Sequence, residues 1–158
     1  CPAGALAVGD RARMAAITST SYGESSAIGD AVAISWEALA EGPVTFGDVL
    51  HTLGEDTNTT TGSSKDDTAA TSTGWTAHLH VTLVDGGSWV VKLQDSVDGG
   101  SWADVTGGAF AAKTTSGGER LVSSSATATL RRYVRYVATR TGGSAGDGIT
   151  FALAYARS

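Results

Sequence analysis

The stretch of this chain best equipped for chemistry is "QDSVDGGSWADV", residues 94–105. Its carboxylates Asp95 and Asp98, together with Asp85 from the preceding turn, are the type of oxygen ligand that calcium takes in proteins. The acidic spacing of an EF-hand is absent, however, and no glutamate follows to close the loop on a cation. A calcium site is therefore the weaker of two interpretations of this stretch.

The stronger interpretation is a structural hairpin. Asp-Gly-Gly between two strands makes a tight turn, because glycine adopts positive φ without a steric cost, and the tryptophan after the turn can pack back over it. The stretch is also similar to the sialidase Asp-box, S-x-D-x-G-x-x-W, with its tryptophan one residue early, and that box is itself a turn. We predict a structural turn motif. Its residues are Gln94, Ser96, Asp98, Gly99, Gly100 and Trp102.

The histidines offer a second possible site. His78 and His80 lie two residues apart, so that their side chains share one face of a strand. A zinc site needs at least a third ligand, and nothing in the sequence brings His51 to the other two. We expect solvent-facing or interface histidines, no metal and no cofactor. Because no catalytic constellation stands out either, we predict that the protein is not an enzyme.

Composition and charge narrow the class of protein. The formal net charge of −5 argues against a nucleic-acid-binding face, and no apolar run is long enough for a transmembrane helix. A single cysteine, Cys1, excludes an internal disulfide. Because the chain starts with this cysteine and lacks a signal-peptide pattern, we expect that an N-terminal part is missing.

The elements that position these residues are predicted to be strands. From Trp75 onward apolar residues alternate with polar ones, and "DGG" turns recur at 85–87 and 98–100. Residues 48–158 are predicted to form an all-β, antiparallel, Ig-like sandwich, with a Thr/Ser/Gly-rich loop at 54–74. The predicted inward-facing residues are Trp75, Ala77, Leu79, Val81, Leu83, Trp89, Val91, Leu93, Ile149, Phe151, Leu153 and Tyr155.

Three stretches together carry a family resemblance. "VKLQDSVDGGSWADVTG", "RRYVRYVATRTG" and "ITFALAYAR" resemble the C-terminal β-sandwich of major tail tube proteins from long-tailed, siphovirus-type actinobacterial phages. The upstream "AAITSTSYGESSAIGDAVAISWEALAEGPVTFGDVLH" resembles the closing part of the tube domain. The resemblance implies that residues 1–47 are the C-terminal remnant, the closing strands, of a tail-tube β-barrel or sandwich domain.

The resemblance also implies a function. It predicts a virion structural protein of the phage tail, assembled from copies of itself in stacked six-fold rings, with the sandwich decorating the outside of the tube. Other tail proteins and host-surface glycans would be further partners, without specific nucleic-acid binding and without a membrane. The candidate self-assembly residues are Tyr22, Trp36, Arg132 and Arg135.

Two alternatives stay open. A capsid decoration protein would use a similar sandwich on an icosahedral shell and would need no tube domain. A carbohydrate- or host-surface-binding module would need an exposed aromatic platform made from Trp75, Trp89 and Trp102. The strand phasing places the first two of these inward, which counts against the platform.

Overall fold

The computed structural model describes the backbone of residues 7–14, 17–25, 33–40 and 45–158, and the side chains of residues 7–14 and 45–158. The chain divides into two compact units. One contains Cys1–Ala12 and Gly47–Ser158, and the other contains Arg13–Phe46. The sequence grouped residues 1–47 as one segment, whereas the structure groups the chain before Arg13 with the sandwich.

All regular structure in the described residues is β-strand. These residues contain no helix that is long and apolar enough to cross a membrane. The strands are β1 (Arg11–Met14), β2 (Ile17–Ser25), β3 (Ala33–Ala40), β4 (Thr45–Asp56), β5 (Thr60–Thr61), β6 (Lys65–Asp66), β7 (Trp75–Val84), β8 (Ser88–Ser96), β9 (Ala103–Ala109), β10 (Gly117–Val122), β11 (Tyr133–Thr141) and β12 (Ile149–Arg157).

Two five-stranded sheets make up the sandwich. The first sheet has the order β1-β4-β12-β7-β10, and the second has the order β5-β11-β8-β9, with β6 also paired to β11. The registered pairs in both sheets are antiparallel. The predicted all-β antiparallel sandwich is therefore confirmed. The smaller unit contains the antiparallel pair β2–β3.

The core lies between the two sheets and follows the predicted alternation with one exception. The predicted inward residues are buried except for Leu83, which is 53% exposed, so this part of the prediction is wrong. The reason is a register shift between β12 and β7, where Thr150 pairs with Leu83 but Phe151 pairs with Val81. The extra residue reverses the alternation, and Val84 takes the place of Leu83 against the core.

The Thr/Ser/Gly-rich segment at 54–74 lies along the edge of the second sheet. Strand β4 continues as far as Asp56, β5 pairs with Val137 and Ala138, and β6 pairs with Tyr133 and Val134. Residues 57–74, which we call the strap, thus cover the free edge of β11. A covered edge is protected from pairing with another chain.

The strap makes one especially close approach to the core. The amide of Gly62 donates a hydrogen bond to the Tyr136 carbonyl at 3.0 Å, and a Cβ added at Gly62 would lie 1.9 Å from the Tyr136 ring. Tyr136 is buried, so its ring has little room to move away.

We expect Gly62→Ala to lower the free energy of unfolding by about 1–3 kcal/mol, because the added methyl group forces the Tyr136 ring or the strap to shift. The matched control is Gly118→Ala on β10, where the nearest atom to an added Cβ is 3.8 Å away, so the change should stay within about 0.5 kcal/mol. Urea unfolding measures both variants. Equal effects of the two substitutions would contradict the packing described for Gly62.

Candidate functional site

The aspartate-rich stretch forms the turn of the β8–β9 hairpin. Asp98 Oδ1 accepts hydrogen bonds from the amides of Gly100 and Ser101, both at 2.9 Å, and from the Ser96 hydroxyl at 2.9 Å. The Ser96 oxygen in turn accepts the Gly99 amide at 3.0 Å. The amides of Ser101 and Gly100, with the Ser96 hydroxyl, lower the pKa of Asp98 to about 2. Asp98 therefore organises its own turn as a carboxylate, together with Ser96, Gly99 and Gly100 of the predicted motif.

The aromatic ring that packs on this turn is not the predicted one. Tyr133 pairs with Ser96 across the strands, and its ring lies 3.7 Å from the position of a Gly99 Cβ. Trp102 is covered instead by Arg135, whose guanidinium carbon lies 4.0 Å from the ring centroid. Sequence reasoning missed Tyr133 because β8 and β11 are far apart in the chain, and local sequence patterns do not show which distant strands pair.

A chain of polar contacts crosses the outer face of the second sheet. Arg135 donates through Nε and Nη2 to Gln94 Oε1, at 3.0 and 2.8 Å. Gln94 Nε2 then donates to Asp104 Oδ1 at 2.8 Å, and Lys92 Nζ donates to Asp104 Oδ2 at 2.7 Å. The structure thus brings Arg135, which the sequence assigned to self-assembly, together with Gln94 and Trp102 of the predicted turn motif.

Arg132 is likewise engaged within the chain. Its Nε and Nη2 donate to the two carboxylate oxygens of Asp66 at 2.7 and 2.6 Å, and its guanidinium carbon lies 4.8 Å from the Tyr133 ring centroid. This bidentate pair holds the pKa of Asp66 at about 2. Both partners are exposed, so the pair positions the strap and adds little stability.

Asp67 accepts hydrogen bonds from side chains of both the strap and β12, which the sequence did not reveal. Its Oδ2 accepts hydrogen bonds from the Tyr155 hydroxyl at 2.5 Å and from Arg157 Nε at 2.8 Å, while Lys65 Nζ donates to Oδ1 at 2.5 Å. Arg157 Nη1 also donates to the Leu130 carbonyl at 2.8 Å. Burial alone would raise the pKa of Asp67, but the hydrogen bond from Lys65, with those from Tyr155 and Arg157, lowers it. The carboxylate thus ties the strap to β12.

His51 lies in a second buried cluster, with a carboxylate and a phenol. Its ring stacks on Phe151 with centroids 4.3 Å apart, and Nδ1 lies 3.0 Å from the Phe151 carbonyl, so Nδ1 carries the proton. The Tyr136 hydroxyl donates to Asp56 Oδ2 at 3.2 Å, and His51 Nε2 lies 4.0 Å from Asp56 Oδ1. Burial raises the pKa of Asp56. No motif in the sequence places His51 near these partners.

The other two histidines lie on the outer face of the first sheet, as their spacing predicts. His80 is exposed, whereas His78 is partly buried and pairs with Arg120 of β10. Burial and the Arg120 charge lower the pKa of His78. Among the side chains that the structure describes, no three His, Cys, Asp or Glu groups are placed to share a metal ion.

Two further predictions concern the candidate assembly residues of the smaller unit and the aromatic platform of the sandwich. Tyr22 and Trp36 are direct register partners in the β2–β3 pair, but their side chains lie outside the described residues. Trp75 is 1% exposed and Trp89 is 0% exposed, so these two do not form the aromatic platform that a carbohydrate-binding module would need.

Large apolar side chains are exposed on the outer face of the first sheet. Leu53 is 61% exposed, Leu83 is 53% exposed and Val122 is 56% exposed. Between Leu53 of β4 and Leu83 of β7, on β12, lie the small residues Ala152 and Ala154, opposite His80 and His78. We call the surface made by Leu53, Leu83, Ala152 and Ala154 the apolar face; Val122 lies apart from it, opposite Thr76 at the other end of β7. Sequence reasoning missed the apolar face, because it took Leu83 for a core residue.

We expect Gly99→Ala to destabilise the fold by about 1–2 kcal/mol, because Gly99 has a φ of 75°, a region that costs a residue with a Cβ roughly that amount. Gly100→Ala is the matched control in the same turn, since its φ is not positive and its nearest neighbour lies 3.6 Å from an added Cβ. Thermal unfolding compares the two variants. A greater loss for Gly100→Ala would show that the turn has another geometry.

The Asp98 carboxyl should titrate by NMR with a midpoint of about 2. Because its pKa is depressed in the folded state, its contribution to stability is present above the unfolded value and is lost as the pH falls through about 2. Ser96→Ala removes one donor and should raise this midpoint, whereas Ser88→Ala at the far end of β8 should leave it unchanged. A normal midpoint in the wild-type chain would contradict the hydrogen-bonded turn.

Searches against protein-family models and against curated proteins find no match for this chain. The described side chains offer a turn organised by Asp98, an internally paired polar face on the second sheet and an apolar face on the first sheet.

Proposed function

We propose that this chain is a virion structural protein, a subunit of a phage tail tube whose β-sandwich decorates the outside of the tube. The resemblance of the β8–β9, β11 and β12 stretches to tail tube proteins supports the proposal. The antiparallel sandwich is the fold that this resemblance implies. The work of such a protein is association with copies of itself.

The observation that carries the proposal is the apolar face of the first sheet. Exposed groups of large apolar side chains mark surfaces that contact other proteins. Here Leu53 and Leu83 project beside the small residues Ala152 and Ala154, which let a neighbouring surface approach closely. In a ring of identical subunits, a head-to-tail contact of this face with a different surface of the next subunit would be repeated at every interface.

The charged residues proposed from the sequence are less suited to this contact. Arg132 is paired with Asp66, and Arg135 is paired with Gln94 and stacked on Trp102. A contact through either arginine would compete with these bonds. We therefore assign the principal subunit contact of the sandwich to the apolar face, and Tyr22 and Trp36 stay candidates in the smaller unit.

The charge of the chain also suits a tube that DNA passes through. A formal net charge of −5 disfavours the phosphate contacts that dominate non-specific DNA binding.

Electron microscopy of the purified chain at increasing concentration tests the proposal. We expect rings or tubes with a six-fold repeat. The double variant Leu53→Asp/Leu83→Asp should weaken self-association by about a hundredfold or more, because charges would be desolvated in the contact. Light scattering measures that association, and circular dichroism verifies that the variant is folded.

The control is Val97→Asp, which changes a still more exposed apolar residue, 70% exposed, in the β8–β9 turn away from the apolar face. It should assemble like the wild-type chain. A chain that stays monomeric, or that binds an icosahedral shell instead, would contradict the tail tube and favour the capsid decoration alternative.

A further inference from the structure

Two histidines of β7 lie directly beside the apolar face. His80 pairs with Ala152 of β12, and His78 pairs with Ala154. Residues opposite each other in an antiparallel pair point to the same face, and neighbouring strands are only about 5 Å apart. A subunit that covers Ala152 therefore also covers His80, whose side chain is exposed in the single chain. The proposed subunit contact thus includes a side chain of the type that changes charge between about pH 5 and 8.

The two histidines differ in how readily they can become charged. His78 is partly buried, and its Nε2 is sealed from solvent without a hydrogen-bond partner among the described residues. A protonated imidazole carries a hydrogen on both nitrogens, so its Nε2–H would be buried without an acceptor. Burial and the charge of Arg120 accordingly lower the pKa of His78. His80, which is open to solvent, is therefore the histidine of this face that takes up a proton in weak acid.

The strand on one side of His80 offers it no negative charge. Gly118 of β10 lies opposite His80, and Arg120 lies two residues along on the same face. Glu119 points to the other face of the sheet, because side chains alternate, and its carboxylate is 2.6 Å from Lys113 Nζ. On this side, a protonated His80 would have only another cation for a neighbour.

The strands on the other side offer no negative charge either. β12 places Ala152 beside His80, and its other residues are also without a carboxylate. On β4, the exposed Glu55 pairs with Thr150, and its carboxylate lies against Gly148 at the start of β12. Of the side chains that the structure describes on β4, β7, β10 and β12, none that faces His80 is a carboxylate.

We propose that protonation of His80 switches off the subunit contact through the apolar face, so that the assembly is stable at neutral pH and dissociates in weak acid. In the free subunit, water solvates the charged ring. In the contact, the charge would be desolvated beside Arg120 without a counter-charge, which costs free energy. The associated state therefore holds His80 neutral, and the association constant falls as the pH falls. This inference rests on the proposed function, because it describes the regulation of the contact assigned to the apolar face.

The direction of this effect separates it from the general effect of charge. The formal net charge at pH 7 is −5, so protonation of carboxylates and histidines makes the chain less negative as the pH falls. Repulsion between identical subunits then decreases, and on this ground alone association would strengthen in weak acid. A weaker association in weak acid therefore requires a specific group in the contact.

Light scattering over a concentration series at about pH 8 and about pH 5.5, an interval in which histidines change charge, tests the proposal. The association constant of the wild-type chain should be about tenfold or more lower at the acid pH. His80→Gln, which is neutral at both pH values, should give nearly the same constant at both. His80→Lys, which is charged at both, should associate weakly at both. Circular dichroism at each pH verifies that the variants are folded.

The matched control is His78→Gln, on the same strand and the same face, which should keep the wild-type ratio between the two constants. An equal constant at the two pH values in the wild-type chain, or a stronger association in acid, would overturn this inference and leave the proposed assembly standing. An acid loss that persists in His80→Gln would assign the switch to another group and would also overturn it. A wild-type chain that is monomeric at both pH values would overturn the proposed function together with its regulation.

Discussion

The contact on which much of the sandwich depends is the carboxylate of Asp67. It accepts bonds from Tyr155 of β12 and from Arg157, and it is paired with Lys65 of the strap. The strap is poor in apolar residues and gains little from burial alone. Because one partly buried anion satisfies three donors, the strap stays on the β11 edge, where it blocks further strand pairing.

The strap removes the β11 edge as a place for strand pairing, and the two faces of the sandwich differ in what they offer a partner. On the second sheet the polar side chains satisfy one another, from Lys92 through Asp104 and Gln94 to Arg135. A partner there would have to replace bonds that already exist. On the first sheet, Leu53 and Leu83 have no such partners to lose, so association there removes apolar surface from water at small cost.

Local pattern was sufficient to predict much of the fold, because side chains alternate strictly along a strand. The buried tryptophans Trp75 and Trp89 and the Asp98 turn followed from that alternation and from glycine chemistry. The pattern failed at Leu83, where one extra residue in β7 reverses the alternation. A β-bulge depends on the neighbouring strand and leaves little trace in the sequence of its own strand.

The sequence by itself determined the class of fold, the position of the hairpin turn and most of the core, since these depend on residues close together in the chain. The tertiary structure alone decided which distant residues meet. Asp67 reaches Tyr155, His51 reaches Tyr136, and His78 lies beside Arg120. Such meetings are set by the order and register of strands far apart in the chain, which short-range periodicity does not encode.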